Sequence, residues 1–157
     1  MVYLAEGARI VGDVTCGEET SIWYNAVIRG DDSPIQIGSR VNIQDNATLH
    51  GGHMHPVVIG DSVTVGHGAI IHGCTIESEC LIGMGAILMD GAVIHSHCVV
   101  AAGSLLPPGK EYPSGSLILG NPAQAVRSLS EDEIRGIADS AALYCALARQ
   151  QLTEAGR

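Results

Sequence analysis

Large aliphatic residues recur every six positions along most of the chain. They run Leu4, Ile10, Cys16, Ile22, Ile28, then Ile37, Ile43, Leu49, then Ile59, Val65, Ile71, and finally Ile76, Ile82, Leu88, Ile94, Val100 and Leu106. Four positions after most of them stands a small or β-branched residue, as at Val14, Thr20, Ala26, Ala47, Val63, Cys80, Ala86, Cys98 and Ser104. An α-helix repeats its apolar stripe about every 3.6 residues and a strand about every 2, so a sustained period of six belongs to neither. It predicts a parallel β-helix: three short strands make one triangular coil, the large residue of each points inward, and coils stack ~4.8 Å apart through parallel pairing.

This pattern resembles that of the hexapeptide-repeat proteins, whose coils wind left-handed against the usual crossover rule. The expected fold class is therefore an all-β solenoid, a left-handed parallel β-helix over residues 1–120. Residues 121–157 form a C-terminal extension with an α-helix at about 131–152. The period is lengthened around GDDSP and GGHMHP, where Gly and Pro predict loops bulging from the prism, and shortened by one residue within HGCT. PPGKEYPSG reads as a turn-rich connection and LILGNPAQAV as the extended segment that ends the prism. Ser130 and Glu133 form a capping box, with Leu129 and Ile134 placed as a hydrophobic staple. Ile134, Ile137, Ala138, Ala141, Cys145 and Ala148 follow at helical spacing, a stripe that packs on the β-helix or on a neighbouring subunit.

Composition narrows the chemistry. The chain is 46% hydrophobic yet only 3% aromatic, without Phe, which suits a narrow core of aliphatic layers. A formal net charge of −9 with 8 Lys and Arg argues against nucleic acid and anionic membrane as partners. No apolar run approaches the ~18 residues of a membrane span, and the first residues lack a basic stretch followed by an apolar one, so a cytoplasmic location is expected. Five Cys without CxxC spacing suit neither a disulfide framework nor a thiolate zinc site, and Cys16, Cys80 and Cys98 fall in the repeat as small buried residues.

The three-sided geometry also sorts the histidines. Ile28, Leu49, Ile71 and Leu88 stack on one face, so the residues after them put Arg29, His50 and His72 in an outward polar column. Ile22, Ile43, Val65 and Ile82 stack on a second face, and two positions on lie Tyr24, Asp45, His67 and Met84, with Gln44 beside Asp45. His50 and His72 are neighbours able to share a metal, whereas His67 lies on another face. The columns can meet if identical prisms pack side by side around a threefold axis, a heterologous contact that closes into a ring with three equivalent sites. His53, His55, His95 and His97 are expected to be solvated.

The strings VIRGDD, VNIQDNATLH and VTVGHGAIIHGCTI, with IGMGAIL following, resemble the gamma-class carbonic anhydrases. That resemblance implies a homotrimer with metal between subunits, His50 and His72 from one chain and His67 from the next. It implies Zn2+, with Co2+ and Fe2+ fitting the same imidazoles. Arg29 and Asp45 would form an inter-subunit ion pair, Gln44 would hydrogen-bond the metal-bound water or hydroxide, and Asn42 and Asp31 would support the site. The implied reaction is reversible hydration of carbon dioxide to bicarbonate by a metal-bound hydroxide. In place of the glutamates in the prototype's two acidic loops, this chain offers Asp32, His53 or His55 as proton shuttle. In place of an Asn on the C-terminal helix it offers Tyr144. The alternatives are an acyl-CoA-dependent acyltransferase of the same fold, a thioester hydrolase, and a non-catalytic metal-binding trimer.

Overall fold

The six-residue period winds into a three-sided prism of stacked coils. A computed structural model describes residues 1–155, with side chains as far as Gln151. The first face carries Tyr3–Leu4, Ser21–Ile22, Asn42–Ile43, Thr64–Val65, Leu81–Ile82, Val99–Val100 and Ser116–Gly120, all parallel. The other two faces merge into one sheet, because the strands Arg9–Cys16 and Val27–Ile37 continue around the corner between them. Each step places one aliphatic side chain inside. Ile28, Leu49, Ile71 and Leu88 are fully buried on the second face, and Ile76, Ile94 and Tyr112 on the third. Burying each such side chain contributes about 1.5–3 kcal/mol.

The corners explain the spacing. Three positions after most inward residues the backbone turns through a left-handed residue, glycine at Gly85, Gly91 and Gly103 but Glu19, Arg40, Ser62, Glu79 and His97 elsewhere. A side chain there costs roughly 1–2 kcal/mol, which the ladder on either side must offset.

Four sequence expectations are corrected. The period does not stop at Leu106: PPGKEYPSG contains the strand Glu111–Tyr112, and Tyr112 is an inward residue whose hydroxyl donates to Ala123 O at 3.1 Å. Ala123 is itself buried and also accepts from Lys110 Nζ at 3.0 Å, which ties the returning strand Ala123–Ser128 onto the C-terminal coils. At the opposite end, Leu4 and Ile10 hold repeat positions yet are 53% and 38% exposed, because their strands, Tyr3–Leu4 and Arg9–Cys16, lie at sheet edges among the described residues. GDDSP is not a free loop but the irregular middle of the strand Val27–Ile37, pairing resuming at Val14 opposite Ile35. GGHMHP does protrude, pinched by a bridge between Gly52 and His55.

The fourth correction concerns His95 and His97. Residues 77–80, ESEC, stack one coil before residues 95–98, HSHC, so each histidine lies beside a glutamate. His95 Nδ1 stands 2.9 Å from Glu77 and its Nε2 2.5 Å from Glu111, and His97 lies 3.0 Å from Glu79. The hydrogen bonds that His95 donates to Glu111 and Glu77 hold its pKa above its ordinary value, while Glu77, accepting from His95 and Ser96, is held below its own. A raised folded pKa stabilises the fold fully below the unfolded value near 6.5, provided Glu77 is ionised, and that contribution is lost as pH rises through the folded value. His95→Ala is therefore expected to lower the melting temperature at pH 6 and to cost progressively less above neutrality. A difference that stayed constant with pH would contradict the clamp.

The C-terminal helix, Glu131–Ala155, starts at the predicted capping box. Glu133 N donates to Ser130 Oγ at 3.2 Å and Ser130 N to Glu133 Oε2 at 2.8 Å. Arg127 adds a two-pronged ion pair that brings Glu133 down to about 2. The helix buries Ile137, Ala141, Cys145 and Ala148, and it lies along the first face of its own chain. Tyr3, Trp23 and Tyr144 meet there edge to face, with centroids 5.7 and 5.3 Å apart, which places the helix beside the column carrying Asp45 and His67.

Candidate metal centre

The ladder of the second face sets the first half of the site. Arg29 pairs with His50 and His50 with His72 in strict register, as the face count requires. The two imidazoles lie at 61° with centroids 5.1 Å apart, and His50 Nδ1 is 3.1 Å from His72 Nε2. His50 Nε2 is buried and makes no hydrogen bond, although Asp31 Oδ1 stands 3.4 Å away. Asp31 also receives Arg29 at 3.1 Å. Its partial desolvation opposes ionisation, but its own backbone N–H, Arg29 and His50 together hold the carboxyl below its usual range.

His72 has a partner the sequence reading missed. Its Nδ1 lies 2.5 Å from Asp90 Oδ1. The contact exists because position 73 is glycine at a φ of +58: a Cβ there would collide with the Asp90 carboxylate and with His55. The one sequence cue is that Asp90, in MDG, stands one coil beyond the shortened HGCT step. Cys74 is buried nearby, where burial and the charge of Asp90 push its thiol up to about 12.

The second half-site sits on the first face. His67 Nδ1 is 2.9 Å from Asp45 Oδ2. With Gln44, Met84 and Ser140 it lines a cavity of about 400 Å³ between the coils and the helix. Gln44 and Asn42 are buried and joined, Gln44 Nε2 donating to Asn42 Oδ1 at 3.0 Å and Asn42 Nδ2 to Thr64 Oγ1 at 2.9 Å. Thr64 in turn lies 3.3 Å from Ser140 of the helix. Thr64 and Ser140 carry no signature in sequence; only the docked helix brings them together. Tyr144 rests on Trp23, its pKa raised by burial and by the negative charge of Asp45.

Within one chain, then, His50 and His72 come together and His67 does not join them. Among the described residues no group of three His, Cys, Asp or Glu side chains could hold a metal ion. Arg29 and Asp45 are likewise apart, each bonded within its own half. Asp32 and His53, both exposed, approach to 4.0 Å beside the first half. The donor set suits a borderline divalent ion. Two nitrogens bound tetrahedrally at ~2.0–2.1 Å stand about 3.3 Å apart, close to the observed 3.1 Å.

Residues 73–108 match the family described as bacterial transferase hexapeptide (six repeats). The chain is 46% identical over 97% of its length to gamma carbonic anhydrase 1, mitochondrial, of Arabidopsis thaliana, of which it spans only 58%. It is 53% identical over 85% of its length to carbonic anhydrase of Geobacillus kaustophilus, covering 73% of that protein. The crystal structure of a hexapeptide transferase family protein from Anaplasma phagocytophilum superposes with a TM-score of 0.91 at 46% identity, covering 95% of this chain and 88% of that one. With this identity along nearly its whole length, and a fold shared with hexapeptide-repeat structures, the chain belongs to the gamma carbonic anhydrase family.

Proposed function

We propose that the chain is a metal-dependent carbonic anhydrase, hydrating carbon dioxide reversibly to bicarbonate at sites shared between neighbours in a homotrimer. The observation that carries the reading is the His50–His72 pair, whose Nδ1 and Nε2 respectively stand at chelating distance. His67 of the adjacent subunit would complete three imidazoles around Zn2+, with Co2+ or Fe2+ accepted by the same ligands. When bound, such an ion supplies Lewis acidity that brings the pKa of coordinated water down toward ~7.

The chain's own residues orient and protect. Asn42 holds Gln44 beside His67 so that its carboxamide directs the attacking oxygen. Asp45 fixes the His67 ring. Arg29 and Asp45 stand on the two columns that face each other across the subunit boundary, where each adds the other to the partner it already holds. Asp31 keeps Arg29 extended beside His50. Tyr144 adds a polar rim from the helix. Asp32 and His53, solvent-exposed and 4.0 Å apart, carry the released proton to buffer.

Stopped-flow carbon dioxide hydration, measured on protein reconstituted separately with Zn2+, Co2+ and Fe2+, tests the proposal. Hydration that tracks metal content is expected. Metal-loaded trimer that is inactive with all three ions, yet turns over an acyl-CoA, overturns it in favour of acyl transfer or thioester hydrolysis.

A further inference from the structure

We infer that Asp90 is a positioning residue whose carboxylate decides which nitrogen of His72 carries the lone pair. An ionised carboxylate offers only acceptors. With Asp90 Oδ1 2.5 Å from His72 Nδ1, the ring hydrogen lies on Nδ1 and His72 Nε2 is left bare. That bare nitrogen lies 3.1 Å from His50 Nδ1, the spacing at which the two rings can share one ion. Without Asp90, neutral histidine favours hydrogen on Nε2, the atom His72 needs free to bind a metal.

The surroundings are shaped for this contact. Gly73 leaves the space the carboxylate fills, and Gly91 N donates to Gly73 O at 2.7 Å, locking the turn that bears Asp90 to the turn after His72. Gly52, from the protruding loop, lies against both side chains: a Cβ there would be 3.7 Å from Asp90 Oδ2 and from His72 Cε1. Ile70, Ile87, Met89 and Pro108 wall the adjoining cavity of about 350 Å³. An apolar wall strengthens a charge-assisted hydrogen bond by lowering the local dielectric. A carboxylate on the distal nitrogen of a metal-ligating imidazole is a recurrent way to fix and strengthen the ligand.

The role toward the metal rests on the proposed function; the effect on the tautomer does not. Long-range 15N NMR of the metal-free full chain above pH 8 reads the tautomer directly. Wild type is expected to show His72 with hydrogen on Nδ1. Asp90→Ala should move it to Nε2, and Asp90→Asn, whose amide oxygen still accepts, should restore it. Equilibrium dialysis against Co2+ with a competing chelator should show affinity falling roughly 10–100-fold in Asp90→Ala and less in Asp90→Asn. An unchanged His72 tautomer in Asp90→Ala, or an affinity equal to wild type, overturns the inference. Wild-type protein that takes up no Co2+ overturns the metal reading instead, and the NMR comparison then decides the role of Asp90 alone.

Discussion

Neither His50→Ala nor His67→Ala is expected to retain bound metal on its own, whereas joint refolding of the two variants should restore part of it. In the proposed trimer each site draws His50 and His72 from one chain and His67 from the next. An interface is therefore complete when a His67→Ala chain supplies the first half and a His50→Ala chain the second. Random assembly of equal amounts makes about a quarter of the interfaces complete. Metal analysis of the three preparations should thus give close to none, close to none, and roughly one quarter of wild-type content. Hydration activity should follow the same proportions. A His67→Ala protein that kept full metal would place all the ligands within one chain, against the separation of His67 from the His50–His72 pair seen here.

The second large effect is on stability. Ile76 is fully buried in the middle of the third face, between Ile59 and Ile94. Ile76→Ala is expected to cost about 2–5 kcal/mol, the range for deleting a buried aliphatic side chain in a packed core. Because each coil rests only on its neighbours, the loss falls on two coil interfaces at once. Leu4 occupies the same place in the repeat but is 53% exposed, so Leu4→Ala should cost well under half as much. Urea unfolding of the two variants, compared at equal slope, separates them. Equal losses would mean that the end coil is covered in solution.

Much of this was legible because a coil is a fixed number of residues. Counting in sixes placed Arg29, His50 and His72 on one ladder and Asp45 and His67 on another, and the structure has them in that register. Where the count falters, legibility falters with it. Asp90 reaches His72 across the shortened step and into a gap left by Gly73, and a missing side chain leaves no trace in a hydrophobic pattern. Tyr112 was passed over because Pro and Tyr do not look like an aliphatic repeat, yet its ring fills the interior and its hydroxyl finds a carbonyl. The match of ESEC with HSHC one coil on was visible in principle. It needs the outward positions to be counted as carefully as the inward ones. The Thr64–Ser140 contact lay beyond any local pattern, since it depends on how the helix docks.

Strand pairing sets His50 beside His72 before any neighbour arrives. On the trimeric reading, an isolated chain therefore already holds two of three ligands, and ion and neighbouring subunit are coupled ligands of one fold. Whatever factor the ion adds to subunit affinity, the neighbour must add to ion affinity. A chelator should loosen the assembly and dilution should release the ion, by equal free energies, so that metal supply and protein concentration act on this chain as a single variable.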